Sequence, residues 1–301
     1  MWVFAAVLPM LVASELLRNR DVIFPEAAAL TFGVLALRLP EWSLSPARLA
    51  LLPPACASIG VALVGLDTPR WAGELIALSL AFIILHVARS RLTPSISAAV
   101  FPLVFGVHSW TYPITVMVIS TGLAGVIMVR RRHGQGPRPA TRDRLPRRSA
   151  LTAWAIAATW IVIAGPALRL GAGAVAPPLI VAMVEWIAGS DRSAATGLRH
   201  WSVLVAAAGV GALAVQHITP AWVGGLIATG IVLTLFATFS GPHPPALAIC
   251  LIPQVARGPG VNPLHFVAAL AIGAAVLYVG ASVVHRDRGE LFIPEHGSPS
   301  A

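Results

Sequence analysis

The sequence predicts an all-α polytopic membrane protein made of two parallel repeats of about six apolar segments each. Three observations carry that expectation. Hydrophobic residues make up 57% of the 301 residues and charged residues only 11%, with a mean hydropathy of +0.80. A soluble domain of this length has no use for so much apolar surface. Several apolar runs begin at proline and are shorter than the ~20 residues of a full span, the mark of broken or re-entrant helices. Finally, the chain repeats itself at an offset of 151 residues: Thr68-Pro69-x-Trp71-x-Gly73-x-Leu75-Ile76-Ala77 matches Thr219-Pro220-x-Trp222-x-Gly224-x-Leu226-Ile227-Ala228.

In half one, residues 1–129, the first run is Met1 to Leu17. It lacks a basic leading segment, and Val12-Ala13-Ser14 is only a faint cleavage signal, so an uncleaved helix is expected. Val22 to Leu39 opens with Phe24-Pro25-Glu26. Leu49 to Leu66 carries Pro53-Pro54 near its start, and Trp71 to Ala88 is a cleaner span. Thr93-Pro94 begins a short run to Trp110, and Tyr112-Pro113 begins another that ends at Arg130. Residues 130–148 (RRRHGQGPRPATRDRLPRR) form a basic linker, too charged for a bilayer and too rich in Gly, Pro and Arg for a packed core.

Half two, residues 149–285, restarts the pattern with runs near 150–168, 174–188, 201–218, 221–239, 245–257 and 263–284, followed by a polar tail over 286–301. The offset also pairs Arg18 with Arg169, Arg48 with Arg199, Gly60 with Gly211, Pro94 with Pro245, Pro102 with Pro253 and Gly122 with Gly273; with one inserted residue, Pro25 meets Pro177. Such matches, with Trp and Gly among them, exceed what apolar bias produces and indicate an internal duplication.

The positive-inside rule puts the linker, both termini and most arginines in the cytoplasm of a multi-pass cell-membrane protein, although Arg18, Arg20, Arg70 and Arg169 fall on the other side. Both ends of half two on one side require an even number of crossings, hence parallel repeats. Within each half, segments one to three and four to six would run in opposite senses. Segments two (Pro25; Pro177-Pro178) and five (Pro94; Pro244-Pro245) then bring proline-headed N-termini together near mid-membrane.

The net charge of +9 comes wholly from arginine, since the chain has no lysine. That excludes a lysine-bound retinal or pyridoxal phosphate. The high isoelectric point reflects the linker and membrane topology, and nucleic acid is not an expected partner. Cys56 and Cys250 lie in apolar runs, off the repeat register, and read as buried thiols.

The stretch from Ser240 to Gln254, S-G-P-H-P-P-A-L-A-I-C-L-I-P-Q, organises half two. Pro244 and Pro245 have no N–H and suit a first helical turn, so a helix N-terminus with free N–H groups falls within apolar sequence. This Gly-Pro-His-Pro-Pro-Ala element, with a short apolar run and a long last helix, resembles the HPP family of integral membrane proteins. Ala176-Pro177 with its apolar run, the polar stretch Asp191 to Arg199 and the next Gly-containing helix resemble that family too, covering about Gly173 to Val284. Ala246-Leu247-Ala248-Ile249-Cys250 is bulkier than the family's small residues, and half one keeps only Leu92-Thr93-Pro94-Ser95. The resemblance implies passage of nitrite across a membrane.

The candidate substrate-binding residues are His243, Pro244, Pro245, Ala246, Pro177, Pro178, Pro25, Glu26 and Glu74. His243 would supply a donor at the mouth of a helix N-terminus, or simply cap it. Ala246 would stay small so that a solute reaches the backbone. Glu26 follows Pro25, either capping the helix dipole or carrying protons; Glu74 stands where half two has Gly225, and Glu185 lies near a segment end. His86, His108, His217 and His265 show no metal spacing, and neither a metal, a cofactor nor an enzyme constellation is expected. Gly122-x-x-Gly125 and Gly209-x-Gly211 read as helix-packing contacts. Two functions follow: a transporter or channel for a small solute, foremost a small inorganic anion such as nitrite, or a membrane scaffold without flux. The duplication and short helices favour the first. Lipid and a small solute are the expected partners, and a homo-oligomer is left open.

Overall fold

Proline decides where many of these helices begin. Pro46, Pro94, Pro177, Pro244 and Pro263 each occupy the first position of a helix, where the missing N–H is one the helix could not have used. In the computed structural model the described residues are 2–43, 45–66, 68–134, 145–189, 191, 193–238, 241–256 and 262–289. The middle of the basic linker, Arg192, Ser240 and the tail beyond Gly289 lie outside them.

The elements are α1 (Trp2–Leu16), α2 (Glu26–Thr31) running on as a π-helical stretch (Phe32–Ala36), α3 (Pro40–Ser43), α4 (Pro46–Val64), α5 (Arg70–Val87), α6 (Pro94–Phe105) and α7 (Thr111–Arg132). After the linker come α8 (Arg147–Val162) with a π-helical end (Ile163–Ala167), α9 (Pro177–Ala188), α10 (Ala194–His217), α11 (Ala221–Thr238), α12 (Pro244–Ile249), α13 (Ile252–Val255) and α14 (Pro263–Gly289). The described residues contain no strand, and seven helices are long and apolar enough to cross a membrane: α4, α5, α7, α8 with its π-helical end, α10, α11 and α14.

Several boundaries differ from the sequence reading: α6 ends at Phe105 rather than near Trp110, α7 and α8 take both ends of the 130–148 linker into helix, and three more differences have a local cause. The fifth run of half two is two helices, broken at Cys250 and Leu251, because the Pro253 ring excludes the helical position of the carbonyl four residues earlier. α10 starts at Ala194 rather than Trp201, since the Ser193 hydroxyl accepts the Thr196 N–H at 3.2 Å and caps it. α2 starts at Glu26, and the residues before it form only a short 3₁₀ turn. Inside α4, Pro53 and Pro54 leave the carbonyls of Leu49 and Ala50 without their usual backbone donors, and the Ser58 hydroxyl adds a bond to the Pro54 carbonyl at 2.9 Å one turn further on.

The short helices are inside and the long ones outside. All six residues of α2 are buried, as are all of α6 but Phe105 and all of α12 but Pro244. The long helices instead expose Leu51, Ile83, Val118, Leu151, Leu213 and Val279, an outward apolar belt suited to lipid. α2 packs on α12 and α6 packs on α9; α1 packs on α11 and α5 packs on α8. Residues 151 positions apart thus find exchanged partners across the two halves.

Gly60 and Gly211, which lie 151 positions apart, make two of the three tightest fits; the third is Gly273, whose added Cβ would lie 2.2 Å from the Ala174 carbonyl oxygen. A Cβ on Gly60 would lie 2.2 Å from the Ala99 carbonyl oxygen, and one on Gly211 would lie 2.2 Å from the Cys250 carbonyl oxygen. Both partners in each pair differ by the same 151 positions. The other glycines expected to pack helices do not: Gly122, Gly125 and Gly209 have nothing within 4 Å of a built Cβ. Arg18 and Arg169, also 151 apart, share a left-handed backbone at φ 49°.

The ends of α1 mark two faces of the molecule. At one, the Arg130 guanidinium lies 5.0 Å over the Trp2 ring and donates to the Leu35 carbonyl at 3.1 Å, while Arg131 donates to the Ser43 carbonyl at 2.9 Å. At the other, Asp21 accepts the Ser109 N–H at 3.2 Å and Asn19 donates to the Thr111 hydroxyl at 3.3 Å.

Candidate functional site

Each inner helix is entered through a stretch without α-helix, residues 17–25, 88–93, 168–176 and 241–243. Such entries need their own polar partners. The Trp160 indole donates to the Ala174 carbonyl at 2.8 Å in the third. The Phe24 N–H in the first points at the Met10 sulfur, 3.1 Å away. The helix starts themselves carry two polar clusters.

The first is centred on Glu26. Pro25 ends the entry, Glu26 opens α2, and the residue is 2% exposed. The Ser97 hydroxyl, one turn into α6, donates to Glu26 Oε1, so the starts of α2 and α6 meet. Glu26 Oε2 has no partner among the described residues, nor have Ser95 Oγ, Thr31 Oγ1 and the Tyr112 hydroxyl. The Tyr112 ring is held between Phe24, edge-on at 6.0 Å, and Phe101, stacked at 5.4 Å. A buried carboxylate with one oxygen satisfied and one open can exchange a proton or bind a donor.

The second cluster is centred on His243, which stands immediately before Pro244 and makes no side-chain cap. Its ring stacks on that of His200 from α10, with centroids 4.1 Å apart and planes 19° apart. Tyr278 of α14 lies 6.2 Å from His200, and Trp186 of α9 meets Tyr278 edge-on at 5.4 Å. Four buried atoms here have no partner among the described residues: His243 Nε2, His200 Nδ1, the Trp186 indole nitrogen and the Tyr278 hydroxyl. An indole can only donate, a phenol can donate, and an imidazole can do either. The cluster is therefore rich in donors, with Arg199 and Asp191 as the charged groups beside His200, an environment for a small hydrogen-bond acceptor. Just above it, Asp191 accepts the Ser193 N–H at 3.0 Å and the Thr196 hydroxyl at 2.5 Å. Those bonds hold the exposed Asp191 carboxyl at about 2, below the usual carboxylate range.

The other expected residues fall around these clusters. Pro177 and Pro178 are buried at the start of α9, which packs against α12; Pro245 and Ala246 are buried at the start of α12, and Ala246 is 0% exposed. Glu74 stands apart on α5, where Arg70 holds it in an ion pair of 2.7 Å. Glu185 accepts a hydrogen bond from the Thr93 hydroxyl, tying α9 to the start of α6. Among the described residues no three His, Cys, Asp or Glu side chains come together as a metal site, and Cys56 and Cys250 are free and buried.

Seven polar residues of these clusters escaped the sequence reading: Thr31, Ser95, Ser97, Tyr112, Trp186, His200 and Tyr278. His200 precedes the apolar run and looked like loop; the Ser193 cap draws it into α10. The others are single polar residues in apolar runs, and that isolation is the signal by which they could have been found. No known protein family, curated protein or solved structure matches this chain.

Proposed function

We propose that this protein is a membrane transporter or channel for a small solute, foremost a small inorganic anion such as nitrite. The observation that carries the reading is the His243 cluster: four buried polar atoms without partners among the described residues, contributed by α9, α10, α14 and the residue that precedes the proline-headed α12. Leaving buried donors unsatisfied costs roughly 1–3 kcal/mol each, which a scaffold has no reason to bear and a binding site does. The resemblance to the HPP family, through Gly241-Pro242-His243-Pro244-Pro245, is the support for nitrite.

The architecture in this proposal is two parallel repeats related by a two-fold rotation about an axis near the membrane normal. It is supported by the exchanged pairings of α2 with α12 and α6 with α9, and by the matched approaches of Gly60 and Gly211. Inside each repeat, short helices enter from opposite faces, a reading supported by the meeting of Glu26 and Ser97. In a cell membrane the linker and both termini face the cytoplasm, a sidedness supported by Arg130 and Arg131 at one face.

The test is flux into liposomes across a panel of nitrite, nitrate, formate, chloride and urea. We expect anion flux that His243→Ala and His200→Ala each lower at least tenfold, and that Ala246→Leu abolishes, with the purified variants still folded. Absence of flux for every solute, or flux indifferent to all three substitutions, refutes the assignment.

A further inference from the structure

The seam between α1 and α7 is open where its counterpart in half two is shut. Both helices pack on α2, and between them lies a cavity of about 540 Å³ with apolar walls that include Trp2, Pro9, Leu35, Gly122 and Val126. Gly122 has nothing within 4 Å of an added Cβ. Ile114 and Val118 also line the cavity and are 54% and 64% exposed, so it faces the lipid belt. Its α7 wall runs from Ile114 to Val126, about 18 Å at 1.5 Å per residue. That is roughly one leaflet of a ~30 Å hydrocarbon core.

Half two fills the same place with its own chain. Counting 151 positions, Pro9 corresponds to Trp160 and Gly122 to Gly273. The Trp160 indole is buried and donates to the Ala174 carbonyl at 2.8 Å. That carbonyl oxygen lies 2.2 Å from where a Cβ on Gly273 would stand, and α14 packs directly on α8. At the end of the seam half two has the buried Ala153 and Ala281, where half one has Trp2 and Arg130. The Arg130 guanidinium lies 5.0 Å over the Trp2 ring, and one of its five N–H donors goes to the Leu35 carbonyl at 3.1 Å. Trp2 and Leu35 both wall the cavity. A cation therefore stands at one end of an apolar slot.

We propose that this slot holds one acyl chain of an anionic phospholipid, with the chain in the space that Trp160 takes in half two and the phosphate on Arg130. Arginine's planar fork matches phosphate oxygens in pairs, and basic residues at a membrane face attract anionic headgroups. A dissolved anion would use Arg130 and not the slot. A neutral lipid would use the slot and not the charge. The site is separate from the His243 cluster and does not depend on the transport reading.

The experiment follows the thermal midpoint of the purified full chain in a neutral detergent. One arm titrates dioleoylphosphatidylglycerol, a second dioleoylphosphatidylcholine, and a third sodium phosphate against sodium chloride at constant ionic strength. We expect a saturable rise with phosphatidylglycerol that neither other arm reproduces at equal concentration. Gly122→Leu and Pro9→Trp, the second installing the residue found at position 160, should each abolish that rise by filling the slot. Arg130→Gln should raise the apparent Kd roughly fivefold, the share of one arginine at an anionic lipid surface. Gly209→Leu, at an equally open glycine of α10, should leave the rise unchanged. Gly122→Leu adds its bulk to open space, so it stays folded and readable whether or not Arg130→Gln tolerates losing the bond to Leu35. The same rise with phosphatidylcholine or with phosphate overturns the proposal. So does the absence of any saturable rise, a rise that both slot-filling variants leave intact, or one that Gly209→Leu also removes.

Discussion

Gly211→Ala tests the packing that holds the inner helices. The added Cβ would stand 2.2 Å from the Cys250 carbonyl oxygen, at least 0.8 Å short of the 3.0 Å that Cβ atoms keep from such neighbours. That oxygen belongs to backbone at the break between α12 and α13, so no flexible side chain can swing aside. Either α10 withdraws or the break moves, and overpacking of this kind costs about 1–3 kcal/mol. Replacing a helical glycine by alanine returns up to ~1 kcal/mol of helix propensity. Gly209 supplies the control on the same helix: a Cβ there meets nothing within 4 Å, so Gly209→Ala keeps the gain without the clash. The propensity gain is common to both, so the two variants should differ by the clash alone, about 1–3 kcal/mol, with Gly211→Ala the less stable. Thermal and denaturant unfolding of the purified variants in one detergent measures this. Equal midpoints for the pair would refute the reasoning. Gly60→Ala, which meets the Ala99 carbonyl at the same 2.2 Å, should behave like Gly211→Ala.

Ser97→Ala removes the donor that reaches Glu26 and should cost about 1–3 kcal/mol of stability, while Glu26→Gln should abolish any pH-driven part of the flux with expression intact; unchanged pH dependence would return Glu26 to a capping role. Arg70→Gln leaves the 3%-exposed Glu74 without its cation and should destabilise by about 2 kcal/mol, a loss that adding Glu74→Gln recovers; failure of the double variant to recover means the pair is not what Arg70 serves. The Asp191 carboxyl is held at about 2 in the folded protein, so its contribution is whole above the ordinary carboxylate range near 4 and is lost as pH falls from there through about 2. Wild-type protein should therefore lose thermal midpoint between pH 5 and roughly pH 2 more steeply than Asp191→Asn does; parallel pH curves would rule out that role.

Composition and punctuation alone determined the element order. Proline without an N–H reports a helix start wherever it occurs, and long apolar runs report spans by length, so the starts of α6, α9, α12 and α14 and the split at the linker were readable residue by residue. Where the local code was ambiguous, boundaries moved. Ser193 lengthened α10 backward to include His200, and Pro253 cut one expected helix into α12 and α13.

The clusters were a different matter. Glu26 was visible because a carboxylate in apolar sequence is conspicuous, but its partner Ser97 lies on another helix and was not. His243 was visible beside its prolines, yet the stacked His200 and the open nitrogen and oxygen atoms of Trp186 and Tyr278 come from three other helices. Single polar residues in apolar runs carry no information about which others they will face. Helix starts depend on a few neighbouring residues and their φ angles, which the chain states locally. Meeting at a site depends on which helix surfaces pack together, and here that was decided by close approaches such as Gly60 to Ala99 and Gly211 to Cys250.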